Sequence, residues 1–165
     1  MKLAETKYDN RTTGCCADVD PAAWDGRTLV WTDQRCVKEH IRALLHVPLN
    51  FGAVMSRAHA AIEKAEAYPE QPLWLCDETS PWGSDLYVPV DRAVPGARTE
   101  MLSGTFVTKV FEGPYRDAGN WVRAMREHVS ARGLELVKLY VFYATCPKCA
   151  KRLGHNRAVL FAQVR

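Results

Sequence analysis

The sequence predicts an α+β fold: tandem strand-helix-strand-strand modules forming an antiparallel sheet with two helices on one face, preceded by an N-terminal extension. Three observations carry this expectation. Within residues 105–121, Phe106, Thr108 and Val110 alternate with Val107, Lys109 and Phe111, the period of two that marks a strand. Gly113-Pro114 then breaks the strand, and Trp121, Val122, Met125 and Val129 fall on one helical stripe that Gly133 would end. The second observation is a repeat. At an offset of 66 residues Pro48 lies over Pro114, and residues 73–81 lie over 139–147 with Leu73/Leu139, Thr79/Thr145 and Pro81/Pro147 identical. The helices match best at 67 (Val54/Trp121, Met55/Val122, Ala58/Met125, Ile62/Val129), and similarity at a fixed period is the signature of tandem structural units. The third is the Pro/Gly-rich linker at residues 91–98, which separates the two halves.

Taken in order, residues 1–35 stand outside the repeat. Trp24, Leu29 and Trp31 are too apolar for a free tail, so this extension is expected to pack on the domain, with a short strand at 28–32. Residues 36–46 fit either a strand or a helix, and the repeat favours the strand. Residues 50–68 carry Phe51, Val54, Met55, Ala58, Ile62 and Ala65 on one stripe and stop at Pro69. Strands follow at 73–77 and 85–90, joined by a turn at 79–83. The second half offers a strand at 101–111, a helix at 116–132 with Asp117 as its candidate cap, and strands at 136–144 and 158–164. Domain boundaries follow: 1–35 for the extension, and 36–165 for a domain of two modules at about 36–91 and 99–165. Two helices and about eight strands result.

The 165 residues are enough to bury a sizeable core. With 47% apolar and 25% charged residues and no apolar run near the ~20 residues that span a bilayer, the composition is that of a globular protein without a membrane partner. The first fourteen residues lack the apolar core of an export signal, and a cytoplasmic location is expected. A net charge of +3, scattered apart from Lys148, Lys151, Arg152 and Arg157, does not predict nucleic-acid binding by this chain alone. A monomer or homodimer fits equally well.

The runs SDLYVPVDRAVPG and GTFVTKVFEGPYRDAGNWVRAMREHVSARG carry an acid followed by an apolar strand ending in Pro-Val at 85–90, then Gly113-Pro114-Tyr115, then a helix ending at Gly133. In this the chain resembles the GyrI-like small-molecule-binding domains, which share their fold with the effector domains of multidrug-sensing regulators, and it looks like a stand-alone member. The resemblance covers residues 36–165. It implies two tandem modules with a ligand cleft between them that takes a bulky, often cationic or polycyclic small molecule. Some stand-alone members hydrolyse strained-ring cytotoxic compounds. Many drug-binding members have a glutamate at the start of the last strand, where this chain has Ala158-Val159.

The candidate chemistry follows from carboxylates and aromatic walls. Glu78 ends a predicted strand, and Glu112 precedes Gly113-Pro114-Tyr115 where the modules would meet. A carboxylate near aromatics can activate a water for hydrolysis, which would make the protein a hydrolase; a solvated or ion-paired surface acid is the plain alternative, Glu112 with Lys109 or Arg116. Trp82, Tyr87, Tyr115, Trp121 and Tyr143 are the candidate ligand-binding walls. Alternation places apolar residues on both faces of strands 73–78 and 139–142. Two helices cover only one face, and the other requires a ligand, a partner or the extension's tryptophans. No Ser-His-Asp set is nominated, and the five histidines lack metal-ligand spacing.

Cys146-Pro147-Lys148-Cys149 is the most specific local pattern. Two thiols at this spacing chelate one ion at a tight turn, and Cys15 and Cys16 could complete a tetrahedral structural zinc site; no other cofactor is required. The alternatives are a reactive dithiol beside Lys148, Lys151 and Arg152, or inert thiols in a turn. The function expected is binding of a bulky aromatic or cationic small molecule, with or without hydrolysis, in detoxification or sequestration. The other readings are a zinc- or thiol-dependent protein and a protein-interaction module with no small-molecule ligand.

Overall fold

The computed structural model describes residue 16 and residues 18–69 and 72–165, without the side chains of Glu78 and Thr79. Cys15 lies outside the described residues. These residues form an α+β fold with seven strands, four α-helices and one 3-10 turn, and the strand pairings inside each half of the chain are antiparallel. The described residues divide into two compact units, one of Trp31–Ser103 and one of residues 16 and 18–30 with Gly104–Arg165.

In the first unit β1 (Thr28–Leu44, most of which belongs here), β2 (Val47–Pro48), β3 (Leu75–Ser80) and β4 (Gly83–Pro89) pair in the order β2-β1-β4-β3. The strand expected at 28–32 and the ambiguous segment 36–46, up to Leu44, are thus one strand of 17 residues. It closes on β2 through Leu45-His46, which both take positive φ (49° and 68°) and so make a two-residue turn without the Asn-Gly that such turns favour. The return strand separates Pro48 from the position that the repeat gave it. Pro114 lies one residue beyond the end of a strand at Glu112, whereas Pro48 lies in the far arm of a hairpin. Helix α2 (Phe51–Lys64) buries Val54, Ala58 and Ile62 at a spacing of four. Asn50 precedes it, but its side chain accepts the Arg42 amide at 2.8 Å and leaves the helix end uncapped. The turn between β3 and β4 shrinks to Pro81-Trp82, and the ladder shifts register between Asp77 and Ser80. Gly83 has no room for a side chain, since a Cβ there would meet the Ile41 carbonyl oxygen at 2.9 Å.

In the second unit β6 (Leu136–Tyr143), β7 (Arg157–Val164) and β5 (Thr99–Glu112, most of which belongs here) pair in the order β6-β7-β5. Helix α3 (Ala118–Ala131) follows a 3-10 turn at Tyr115–Asp117 and packs Trp121, Met125 and Val129 onto Val107, Val141, Ala158, Leu160 and Ala162. Asp117 stands at its N-terminus without making a side-chain cap. The opposite face of these strands is aromatic. Helix α1 (Pro21–Trp24) sets Trp24 edge-on to Phe161 at 5.5 Å between ring centres, and Phe106 tilts against Tyr140 at 6.2 Å. Trp24 is buried on this face. Buried Thr108 fastens it: the hydroxyl donates to the Trp24 carbonyl, its N–H donates to Arg27 at 2.9 Å, and its carbonyl accepts from Gly26 at 2.9 Å.

Two helices were missed by periodicity because both are short. Helix α1 is capped by Asp20, whose carboxylate accepts from the Ala22 amide, and starts at Pro21. Helix α4 (Pro147–Leu153) starts at Pro147 after Cys146 and ends at Gly154 with φ 74°. Proline just inside a helix start and glycine just past its end are the signs that stripe-counting overlooks.

Candidate functional site

The C-terminal end of α4 and the end of β5 enclose a shallow depression of about 420 Å³ lined by Glu112, Gly113, Lys151, His155 and Asn156 among others. Its geometry begins with backbone. Gly113 takes φ 145°, a conformation that glycine alone adopts readily. Its N–H donates to the Asn156 carbonyl at 3.0 Å, and its own carbonyl accepts the Asn156 side-chain amide at 2.8 Å. Asn156 is buried, and its Oδ1 has no partner among the described residues.

A charged network borders the same place. Arg157 donates through Nε to Glu112 at 3.0 Å and through Nη1 to Asp18 at 3.0 Å and to the Val19 carbonyl at 2.9 Å. Asp18 also meets His155 Nε2 at 2.7 Å. Asp18, His155 and Arg157 are each about four-fifths buried, whereas Glu112 is more than half exposed. A carboxylate that engages one imidazole nitrogen fixes the ring and leaves the other nitrogen to face its surroundings. Neither His155 nor Asp18 was nominated from sequence, since 137 residues separate them and no spacing rule joins them.

The N-terminal end of α4 holds the thiols. The sulfurs of Cys16, Cys146 and Cys149 lie within 4.8 Å of one another. The Cys146 amide points at Cys16 Sγ and the Cys149 amide at Cys146 Sγ, each at 3.4 Å. Burial pushes the Cys16 thiol up, and hydrogen bonds with the other two thiols add to this. Tyr115 lies close by. Its hydroxyl donates to the Thr145 carbonyl and its ring tilts against Tyr143 at 5.9 Å. Burial and the neighbouring thiols push its phenol up to about 12.

The remaining nominated residues are dispersed. Glu78 lies in β3. Glu112 pairs with Arg157 rather than with Lys109 or Arg116. Trp121 is buried and stacks on Phe111 at 6.2 Å. Tyr87 is buried under the Lys38 ammonium at 5.0 Å, and Trp82 is 61% exposed at its turn. Around Tyr87 the first unit has its own charge cluster. Lys38 bridges Glu100 at 2.7 Å and Asp85 at 3.4 Å, and His40 meets Asp85 at 2.9 Å. The hydrogen bond with Glu100, then that with Tyr87, raises the Lys38 pKa. Partial burial pushes the Asp85 carboxyl up, but bonds from His40 and Lys38 outweigh it and hold it below its usual range.

Among solved structures the chain is similar to the EcmrR C-terminal domain, with a TM-score of 0.61 and 11% identity over 86% of this chain and 98% of that one. A hydrolase from Listeria innocua aligns with a TM-score of 0.58 and 11% identity over 86% and 92% of the two chains. EcmrR in complex with DNA aligns at 0.54 and 13% identity, with 57% of its chain covered. At these identities the likeness shows the fold, which is that of a GyrI-like domain, as the strand ending in Pro-Val and Gly113-Pro114-Tyr115 suggested. The chain belongs to the bacterial hydrolase family, which it matches over residues 6–164. No curated protein matches it. No helix among the described residues is long and apolar enough to cross a membrane.

Proposed function

We propose that the protein binds a bulky aromatic or cationic small molecule and hydrolyses it with a carboxylate-activated water. The observation that supports this best is the meeting of Glu112 and the Asp18-bound His155 on one depression, in a chain of the bacterial hydrolase family. Glu112 Oε2 is held by Arg157, and the carboxylate's other oxygen can take a proton from water. The oxygen of that water then bonds to the electrophilic carbon as the leaving group departs, and the imidazole of His155 can carry the proton to that leaving group. Tyr115 and Tyr143 supply aromatic surface nearby, and Glu78 is the second candidate carboxylate. The tandem-module reading belongs to the same proposal. Each unit contains strands before and after one 14-residue helix, as two copies of a strand-helix-strand-strand repeat would.

The test is a screen of polycyclic and cationic compounds by quenching of the five tryptophans, followed by product analysis of every hit. Wild type should convert at least one hit. Glu112→Gln should retain binding and lose turnover by about 100-fold or more, and His155→Gln should lose less. Binding without turnover in wild type would leave a sequestering protein. Turnover lost in Glu78→Gln but kept in Glu112→Gln would move the chemistry to β3.

A further inference from the structure

We infer that Cys16, Cys146 and Cys149 form a structural binding site for a thiophilic divalent cation, zinc in the cell, independent of the hydrolytic reading. The three sulfurs come from segments 130 residues apart and lie within 4.8 Å of one another. In a tetrahedral zinc-thiolate centre with bonds of ~2.3 Å, neighbouring sulfurs stand about 3.8 Å apart, so a small inward movement of the side chains closes the set. A disulfide would join two of the sulfurs and give the third no role, whereas a tetrahedral ion uses all three.

The backbone is already arranged for sulfur that carries negative charge. The amides of Cys146 and Cys149 point at Cys16 Sγ and Cys146 Sγ, each at 3.4 Å. Donors aimed at ligand sulfurs orient them and offset part of their charge. Pro147 follows Cys146 and has no amide proton to compete, so the turn presents its donors to the sulfurs. Cys149 is buried and Cys16 and Cys146 are half-buried, which shields a bound ion from chelators. On binding, each coordinating thiol releases its proton to solvent and no electron is transferred. The ion would clasp the segment that carries Asp18 to the start of α4, whose far end leads into His155.

Elemental analysis of protein purified without added metal should give one zinc per chain. Cobalt added to the metal-free protein should develop thiolate-to-cobalt charge-transfer absorption and tetrahedral d–d bands that saturate at one equivalent. Cys146→Ser or Cys149→Ser should weaken cobalt binding by at least about 10-fold, while Cys36→Ser and Cys76→Ser should leave it unchanged. Wild-type protein that shows no charge-transfer absorption at stoichiometric cobalt would overturn the assignment without recourse to any variant. So would a band that persists in the Cys146→Ser/Cys149→Ser double variant.

Discussion

Helices α2 and α3 make the most instructive pair in the molecule. Each is 14 residues long and each buries three side chains four residues apart. What they bury differs: Val54, Ala58 and Ile62 in the first unit, Trp121, Met125 and Val129 in the second. The spacing fixes which side of a helix turns inward, but the volume at those positions sets how much each contributes. The polar residues differ as well. The first unit holds a surface cluster of Lys38, Asp85, His40 and Glu100, whereas the second adds α1, α4, three clustered thiols and the Arg157 network. Shared periodicity thus builds the common frame, and the residues outside it carry the chemistry.

Replacing the two helices' anchors is the strongest way to break this comparison. Trp121→Ala should cost about 3–5 kcal/mol. Val54→Ala removes two methyl groups and should cost about 2 kcal/mol, from ~0.8 kcal/mol per carbon plus a small cavity. Urea unfolding of each variant checks the ratio, and equal losses would show that the helices are anchored alike. Next is the fastening of the extension to the second unit. Thr108→Val removes the donor to the Trp24 carbonyl while keeping the shape, and should cost about 1–3 kcal/mol. It should also shift tryptophan emission as Trp24 leaves Phe161.

Smaller effects come from the first unit's charges and turn. Asp85→Asn should cost about 1 kcal/mol at neutral pH, a value reduced for the one-third exposure of the carboxylate. Because the folded state holds this carboxyl below its usual range, its contribution is complete above the unfolded pKa and is lost as pH falls through the folded one. The gap between wild type and Asp85→Asn in acid unfolding should therefore close on acidification. A gap that widened would reverse the sign. Finally, Leu45→Asn with His46→Gly supplies the residues that two positive φ angles favour and should raise stability by about 0.5–1 kcal/mol. No change in melting temperature would show that the turn adds no strain.

Much of the frame was legible because it rests on local periodicity. Phe106 to Phe111 had to be a strand, and the stripe from Trp121 to Val129 had to be a helix. The lengths were less accessible. Nothing in Thr28 to Leu44 signals one continuous strand, since Asp33 takes a positive φ within it, and hydrogen bonding along the ladder overrode the local break. The site was legible in proportion to how local it is. Cys146 and Cys149 announced themselves by spacing, and pairing them with Cys16 came from chemistry. The Asp18, His155 and Arg157 group left no trace, because its members meet only through the tertiary path of the chain.

The two-way bond between Gly113 and Asn156 has a kinetic consequence. The Gly113 amide sits at the rim of the depression and is tied to the residue that precedes β7, so it can exchange with deuterium only when that rim parts. Its protection factor measures local opening apart from global unfolding. This one amide is therefore a built-in gauge of how often the depression breathes.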